Sequence, residues 1–300
     1  MSNVGINGVA LVTGGAAGIG EETGFAFAEA GASGVVFADL NIKGAKASAE
    51  KSKEFATNPQ YRTLALEVNT TEPESVQAMV DLTIKEFGRI DYFVNSADKN
   101  YVRVNMLTNI CTLKVGATSL APTSDIDINN FDRTFAVNAR GTMLCLRAVT
   151  KAMTAQDPRK VKGRHGDERS LGRGCIVNLG SGLSYGAGPG MMAYAASKHA
   201  VMGITKVAAT DFFDSAGQRK ARNSCERALP LMGEDPHVRT KFGSLADLEK
   251  VIQTVSPAKR AATPEEVANV AVFLCSPSAT YVNGTGLLID AGMMVTAHAT

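Results

Sequence analysis

Net charge is almost absent from this sequence of 300 residues: 31 Lys and Arg stand against 29 Asp and Glu, leaving +2. Such a balance offers no broad field to nucleic acid or to an anionic membrane surface, and it points to small-molecule partners. The five cysteines, Cys111, Cys145, Cys175, Cys225 and Cys275, are scattered without a CxxC pair, which argues against a disulfide framework and for a reducing compartment. The four histidines, His165, His199, His237 and His298, lie too far apart for metal-ligand spacing, so no metal is expected. No apolar segment approaches the roughly 20 residues of a membrane-spanning helix. The opening "MSNVGINGVALVTGG" lacks a basic start followed by a long apolar run, and the closing "AHAT" resembles no lipidation or peroxisomal signal. A cytoplasmic protein is expected. Linkers and internal repeats are missing too, which leaves residues 1–300 as a single domain.

What is present is a 45% hydrophobic composition, enough to bury a real core, arranged in a regular alternation. Short apolar runs, "GVALVTG", "GVVFADL", "RTLALEV", "DYFVNSA", "GCIVNLG" and "GLLIDAG", are separated by helical patterns, among them 21–30, 129–154 and 192–213. Near-continuous apolar strands between helices indicate a parallel sheet covered on both faces. The expected fold class is therefore α/β: one doubly wound Rossmann-type domain. Three segments fit it poorly: 99–121, the basic loop 157–173, read as solvated, and 214–235, where a strand is due but the residues are polar and charged.

Between the first strand and the first helix lies "TGGAAGIG", Thr13 to Gly20. Glycines there let the backbone turn tightly and approach a pyrophosphate at the helix N-terminus. The spacing satisfies neither GxGxxG nor GxxxxGK[ST], so the turn gains weight only from Asp39, which closes the second strand. A carboxylate at that place accepts hydrogen bonds from both hydroxyls of an adenosine ribose and repels the extra phosphate of NADP. The nearest cation after it is Lys43. NAD is favoured and NADP remains possible.

In "AYAASKHAV" the helical period puts Tyr194 and Lys198 on one face. A phenol ordinarily titrates near 10, and a nearby ammonium favours the phenolate; such a tyrosine exchanges a proton with an alcohol or ketone near neutral pH. Ser181 ends the strand "GCIVNLGS", on the side where open parallel sheets bind ligands, and the glycines after it allow the chain to fold back toward the tyrosine.

Taken together, "TGGAAGIG", Asp39, "VNSA", "FAVNARG", Ser181 and "AYAASK" resemble the short-chain dehydrogenase/reductase family, over about residues 5–213 and again 256–292. "RSLGRG" and "GMMAYAASKHAVMGITK" are similar to fungal members, many of them from secondary-metabolite pathways. The resemblance implies Tyr194 as the proton-transferring group and Lys198 as the residue that lowers its pKa and holds the nicotinamide ribose. Ser181 would hydrogen-bond the substrate oxygen, and Asn138 would hold a water leading from Lys198 to a proton relay. Thr13, Gly14, Gly18, Ile19 and Gly20 would line the diphosphate, Asp39 the adenosine ribose, and Glu67, Asn95 and Ala97 the adenine. It further implies hydride transfer between NAD(P) and a secondary alcohol or ketone, and a homodimer or homotetramer packed through residues 130–154 and 192–213.

The sequence departs from the family at four places. "NSAD" stands for the usual NNAG, which puts Ser96 and the carboxylate of Asp98 beside the cofactor. "KNYVRVNMLTNICTLK" lengthens the next connection, Glu67 replaces an aspartate, and Glu226 and Arg227 fall near the expected Pro-Gly turn, where no nicotinamide contact is assigned and Thr240 is the one conceivable substitute. The competing expectation is thus a dinucleotide-binding protein of the same fold with impaired catalysis.

Overall fold

The computed structural model describes residues 5–98, 121–211, 253–254 and 256–294, together with the backbone of 222–228. The inserted "KNYVRVNMLTNICTLK", Thr240 and the rest of 214–235 lie outside the described residues. The chain runs through β1 (Val9–Thr13), α1 (Gly18–Glu29), β2 (Gly34–Asp39), α2 (Ile42–Ser52), β3 (Arg62–Glu67), α3 (Pro73–Phe87) and β4 (Tyr92–Asn95). It continues with α4 (Ile128–Phe135), α5 (Thr142–Ala155), the strands β5 (Arg159–Lys162), β6 (Glu168–Gly172) and β7 (Cys175–Leu179), and α6 (Met192–Asp211). Then come β8 (Arg222–Ala228), α7 (Pro264–Cys275) and β9 (Gly286–Ile289).

Seven strands form one parallel sheet in the order β3-β2-β1-β4-β7-β8-β9. β1 and β4 are buried along their whole length, as strands covered on both faces must be. The two-residue period of β1 sends Ala10 and Val12 into a core shared with Phe25 and Phe27 of α1 and Ala271 of α7. Leu11 goes to the opposite core, against Met79 of α3 and Leu144 and Val149 of α5. This is the doubly wound α/β domain expected from the alternation of apolar runs. Chain order reverses between β1 and β4, and the crevice beyond their carboxyl ends is where such sheets hold ligands.

Three local expectations are corrected. The strand doubted within 214–235 exists: β8 pairs with β7 from Cys175↔Arg222 to Leu179↔Glu226, and with β9 from Cys225↔Gly286 to Ala228↔Ile289. A parallel ladder is made of backbone N–H and C=O groups, which every non-proline residue owns whatever its side chain. The basic loop 157–173 is not irregular: it forms an antiparallel hairpin, β5 with β6, its charged side chains mostly turned to solvent. The helix expected over 129–154 is interrupted by a π-helical turn, Ala136–Gly141, between α4 and α5.

Candidate active site

The site is built first from the turn after β1. Gly14 has φ +69°, and a Cβ there would sit 2.6 Å from the carbonyl oxygen of Ser96; a Cβ on Gly20 would sit 2.2 Å from that of Gly14. Only glycine permits this close stacking of the turn against α1 and the end of β4. Gly18, at φ +57°, opens α1, whose N-terminus has no side-chain cap. Its first amides can therefore serve an anion. Ile19 follows half-buried, its carbonyl taking the Thr23 hydroxyl at 2.6 Å. Asp39 closes the crevice on the β2 side: its Oδ2 accepts the Ala16 N–H at 3.1 Å and its Oδ1 the Asn41 N–H at 2.8 Å. Each oxygen keeps a lone pair for a ribose hydroxyl. Glu67 lies beside Asp39 across the β2–β3 ladder and is exposed. A tight glycine cradle, an uncapped helix start and a fixed carboxylate beyond them fit a dinucleotide.

A chain of buried hydrogen bonds ties this turn to the helix of the tyrosine. The Thr13 hydroxyl donates to Asn95 Oδ1 at 2.8 Å and accepts the Ala97 N–H at 3.3 Å. Asn95 Nδ2 donates to the Thr142 hydroxyl at 2.9 Å, which donates to the Asn138 carbonyl at 2.6 Å. Asn138 Nδ2 then donates to Ser197 Oγ at 3.1 Å, and Ser197 to the Tyr194 carbonyl at 2.8 Å. The Asn95 amide expected at an adenine thus has both ends engaged within the protein. Asn138 was expected to serve Lys198 through a water; its amide nitrogen braces α6, and the π-helical turn is what aims it there. Thr142 and Ser197 were missed. Their signal is faint: each is a hydroxyl residue three or four positions after a site residue, the helical spacing for bonding back to a carbonyl.

Ser181, Tyr194 and Lys198 do converge, and all three are buried. Ser181 caps the short turn Gly182–Ser184 at the carboxyl end of β7, its Oγ accepting the Leu183 N–H at 3.2 Å while its own N–H donates to Ser184 Oγ at 3.1 Å. That fixes the hydroxyl toward Tyr194, with which it hydrogen-bonds. Lys198 Nζ donates to the Leu179 carbonyl at 3.1 Å and lies 5.6 Å from the centre of the Tyr194 ring.

Asp98 joins them. Its Oδ2 lies 2.7 Å from Lys198 Nζ and accepts from the Tyr194 hydroxyl at 3.4 Å. Lys198 does pull the tyrosine pKa down, as expected, but two larger effects oppose it. Burial first, then the charge of Asp98, push the Tyr194 phenol up to about 12, against the opposing pull of Lys198 and Ser181. A phenol so held is a proton donor at neutral pH.

Comparisons with known proteins identify relatives over the length of the chain. The family model described as enoyl-(acyl carrier protein) reductase matches residues 14–294. The chain is 37% identical over 287 residues to short-chain dehydrogenase anuF of Penicillium roqueforti, covering 96% of each. It is 34% identical to D-threitol dehydrogenase of Mycolicibacterium smegmatis, covering 96% of this chain and 93% of that one. Among solved structures, levodione reductase superposes with a TM-score of 0.76 at 28% identity, over 98% of this chain and 100% of that one.

Proposed function

The chain belongs to the short-chain dehydrogenase/reductase family of oxidoreductases, and from that premise we propose that it interconverts a secondary alcohol and a ketone with NAD as the preferred cofactor. The observation that carries the reading is the buried convergence of Tyr194, Lys198 and Ser181 beyond the carboxyl end of β7. A bound nicotinamide dinucleotide supplies hydride to the carbonyl carbon, or takes it from the carbinol carbon. Thr13, Gly14, Gly18, Ile19 and Gly20 hold the diphosphate against the start of α1. Asp39 takes the adenosine ribose, with Glu67 and Ala97 flanking the adenine. Ser181 donates a hydrogen bond to the substrate oxygen, and Tyr194 gives that oxygen the proton that completes the alcohol. Lys198 is the group that meets the nicotinamide ribose. The protein's contribution is orientation and proton transfer.

The preference for NAD rests on Asp39, whose fixed charge repels a 2′-phosphate. A role in a fungal secondary-metabolite pathway is supported by similarity to short-chain dehydrogenases of filamentous fungi, including that of Aspergillus ruber at 36% identity. Exposed Met143 and Val207 on α5 and α6 support a homodimer or homotetramer packed through these helices. Among the described residues no helix is long and apolar enough to cross a membrane. The impaired, purely nucleotide-binding alternative is favoured by one observation, the ion pair that occupies Lys198.

Titration with NADH and NADPH, followed by a panel of ketones monitored through nicotinamide absorbance, separates these readings. Tighter NADH binding with turnover on the panel is expected. Binding without turnover would select the alternative, and tighter NADPH binding would remove the role given to Asp39.

A further inference from the structure

One carboxylate oxygen meets both the proposed acid and the proposed cation. Asp98 Oδ2 is 2.7 Å from Lys198 Nζ, whereas the same Nζ is 5.6 Å from the centre of the Tyr194 ring, and the Tyr194 hydroxyl points to that oxygen at 3.4 Å. Lys198 is 4% and Asp98 20% exposed at the side chain, so the pair is held largely out of water, where charges act strongly. The groups facing the phenol from the elements around it are Lys198 on α6, Ser181 after β7 and Asp98 after β4. Of these, Lys198 and Ser181 favour the phenolate and Asp98 opposes it.

We propose that Asp98 is a positioning residue that draws the Lys198 ammonium to itself and keeps Tyr194 as a phenol, the form that donates a proton in carbonyl reduction. Deprotonating Tyr194 would set a phenolate against a carboxylate already at hydrogen-bond distance, while the cation that would balance it is engaged by that carboxylate. In reduction Tyr194 begins as the donor that Asp98 maintains. In oxidation it must begin as an acceptor, which Asp98 disfavours until Lys198 is drawn off. This rests on the role proposed above for Tyr194.

The test needs neither nucleotide nor substrate. Tyrosinate absorbance is titrated against pH for the full chain and for Tyr194→Phe, and the difference isolates Tyr194; the same subtraction is made in the Asp98→Asn background and in Asp98→Glu. Unchanged circular dichroism over the pH range certifies the fold. In the wild type the difference signal is expected to stay flat to about pH 10. In Asp98→Asn its midpoint should fall by about one pH unit or more, as removal of a like charge within hydrogen-bond distance requires. Asp98→Glu, which restores the charge, should return toward the wild type. If Asp98→Asn does not fold, Asp98→Gly replaces it with the same expected shift. A Tyr194 midpoint in the neutral variants that matches the wild type overturns the proposal, as does an Asp98→Glu curve identical to that of Asp98→Asn. Failure of the enzyme to turn over any ketone would instead sink the function while leaving this titration intact.

Discussion

Two aspartates bracket β4 and do different work. Asp91, just before the strand, is 1% exposed; it accepts the Val9 N–H at 2.9 Å and the Arg89 Nε–H at 2.8 Å, with the Arg159 guanidinium 3.7 Å away. Its backbone continues the stitching, its N–H donating to the Val9 carbonyl and its carbonyl accepting from Cys175, so β1, β4 and β7 are joined at one end. Asp98, just past the strand, also has a cation and a hydrogen-bond donor, but these are Lys198 and the phenol of Tyr194. The partners of Asp91 make only structural contacts, Arg159 donating also to the Tyr92 hydroxyl. Those of Asp98 are the two side chains proposed for proton transfer, so there the carboxylate would alter chemistry. At the amino ends of the strands a buried charge is paired for stability; at the carboxyl ends it is left in competition.

The comparison breaks most sharply at Tyr194. Tyr194→Phe removes the proposed proton donor and should lower kcat by about 10²- to 10⁴-fold. Steady-state kinetics against a ketone found in the panel would decide it, and unchanged turnover would remove Tyr194 from the mechanism. At the other end, Asp91→Ala should do the opposite. It leaves two guanidinium groups and the Val9 N–H without their carboxylate, and breaking a buried pair in this way costs about 3–5 kcal/mol. Denaturant unfolding should register that loss while activity per folded molecule persists. A stable Asp91→Ala would mean that the pair contributes no more than a surface bridge.

The architecture was legible because β1, β2, β4 and β7 are apolar on both faces, a pattern that only a doubly covered sheet explains. Gly14, Asp39, Ser181, Tyr194 and Lys198 could be proposed from the sequence because each sits at the carboxyl end of a strand or on one turn of a helix, places where residue type and position carry the same message. Side chains that face inward between elements were not. Asn95 and Asn138 carry the same amide whether they meet a ligand or brace Thr142 and Ser197, and no local pattern separates the two. β8 was doubted because its residues are charged, yet pairing is a property of the backbone. In the hairpin β5–β6, charge suggested pure solvation, but Arg159 reaches inward to lie over the Tyr92 ring at 5.1 Å. Asp98 could be seen to be unusual; that its charge would meet Lys198 required the folded geometry.

A third carboxylate sets the lower end of the scale. Glu266, in the first turn of α7, takes both guanidinium nitrogens of Arg260 at 2.7 Å and the Thr263 N–H at 2.8 Å, while the Thr263 hydroxyl accepts the Glu266 N–H at 3.2 Å. This reciprocal cap fixes the start of the helix that packs on α1. The Arg260 hydrogen bonds first, then that from Thr263, hold the Glu266 carboxyl down to about 2, from an ordinary 4.5. Because the folded value is the lower one, the stability it contributes is present above pH 4.5 and is lost as pH falls toward about 2. Both partners are largely exposed, so the effect is small beside that of Asp91. Glu266→Gln keeps an acceptor for the Thr263 N–H and removes the charge. Its melting temperature should therefore lie slightly below the wild type at neutral pH, and the two should converge on acidification within that window. Parallel acid limbs for the two proteins would show that the exposed carboxylate, unlike the buried one at Asp91, contributes nothing that titrates.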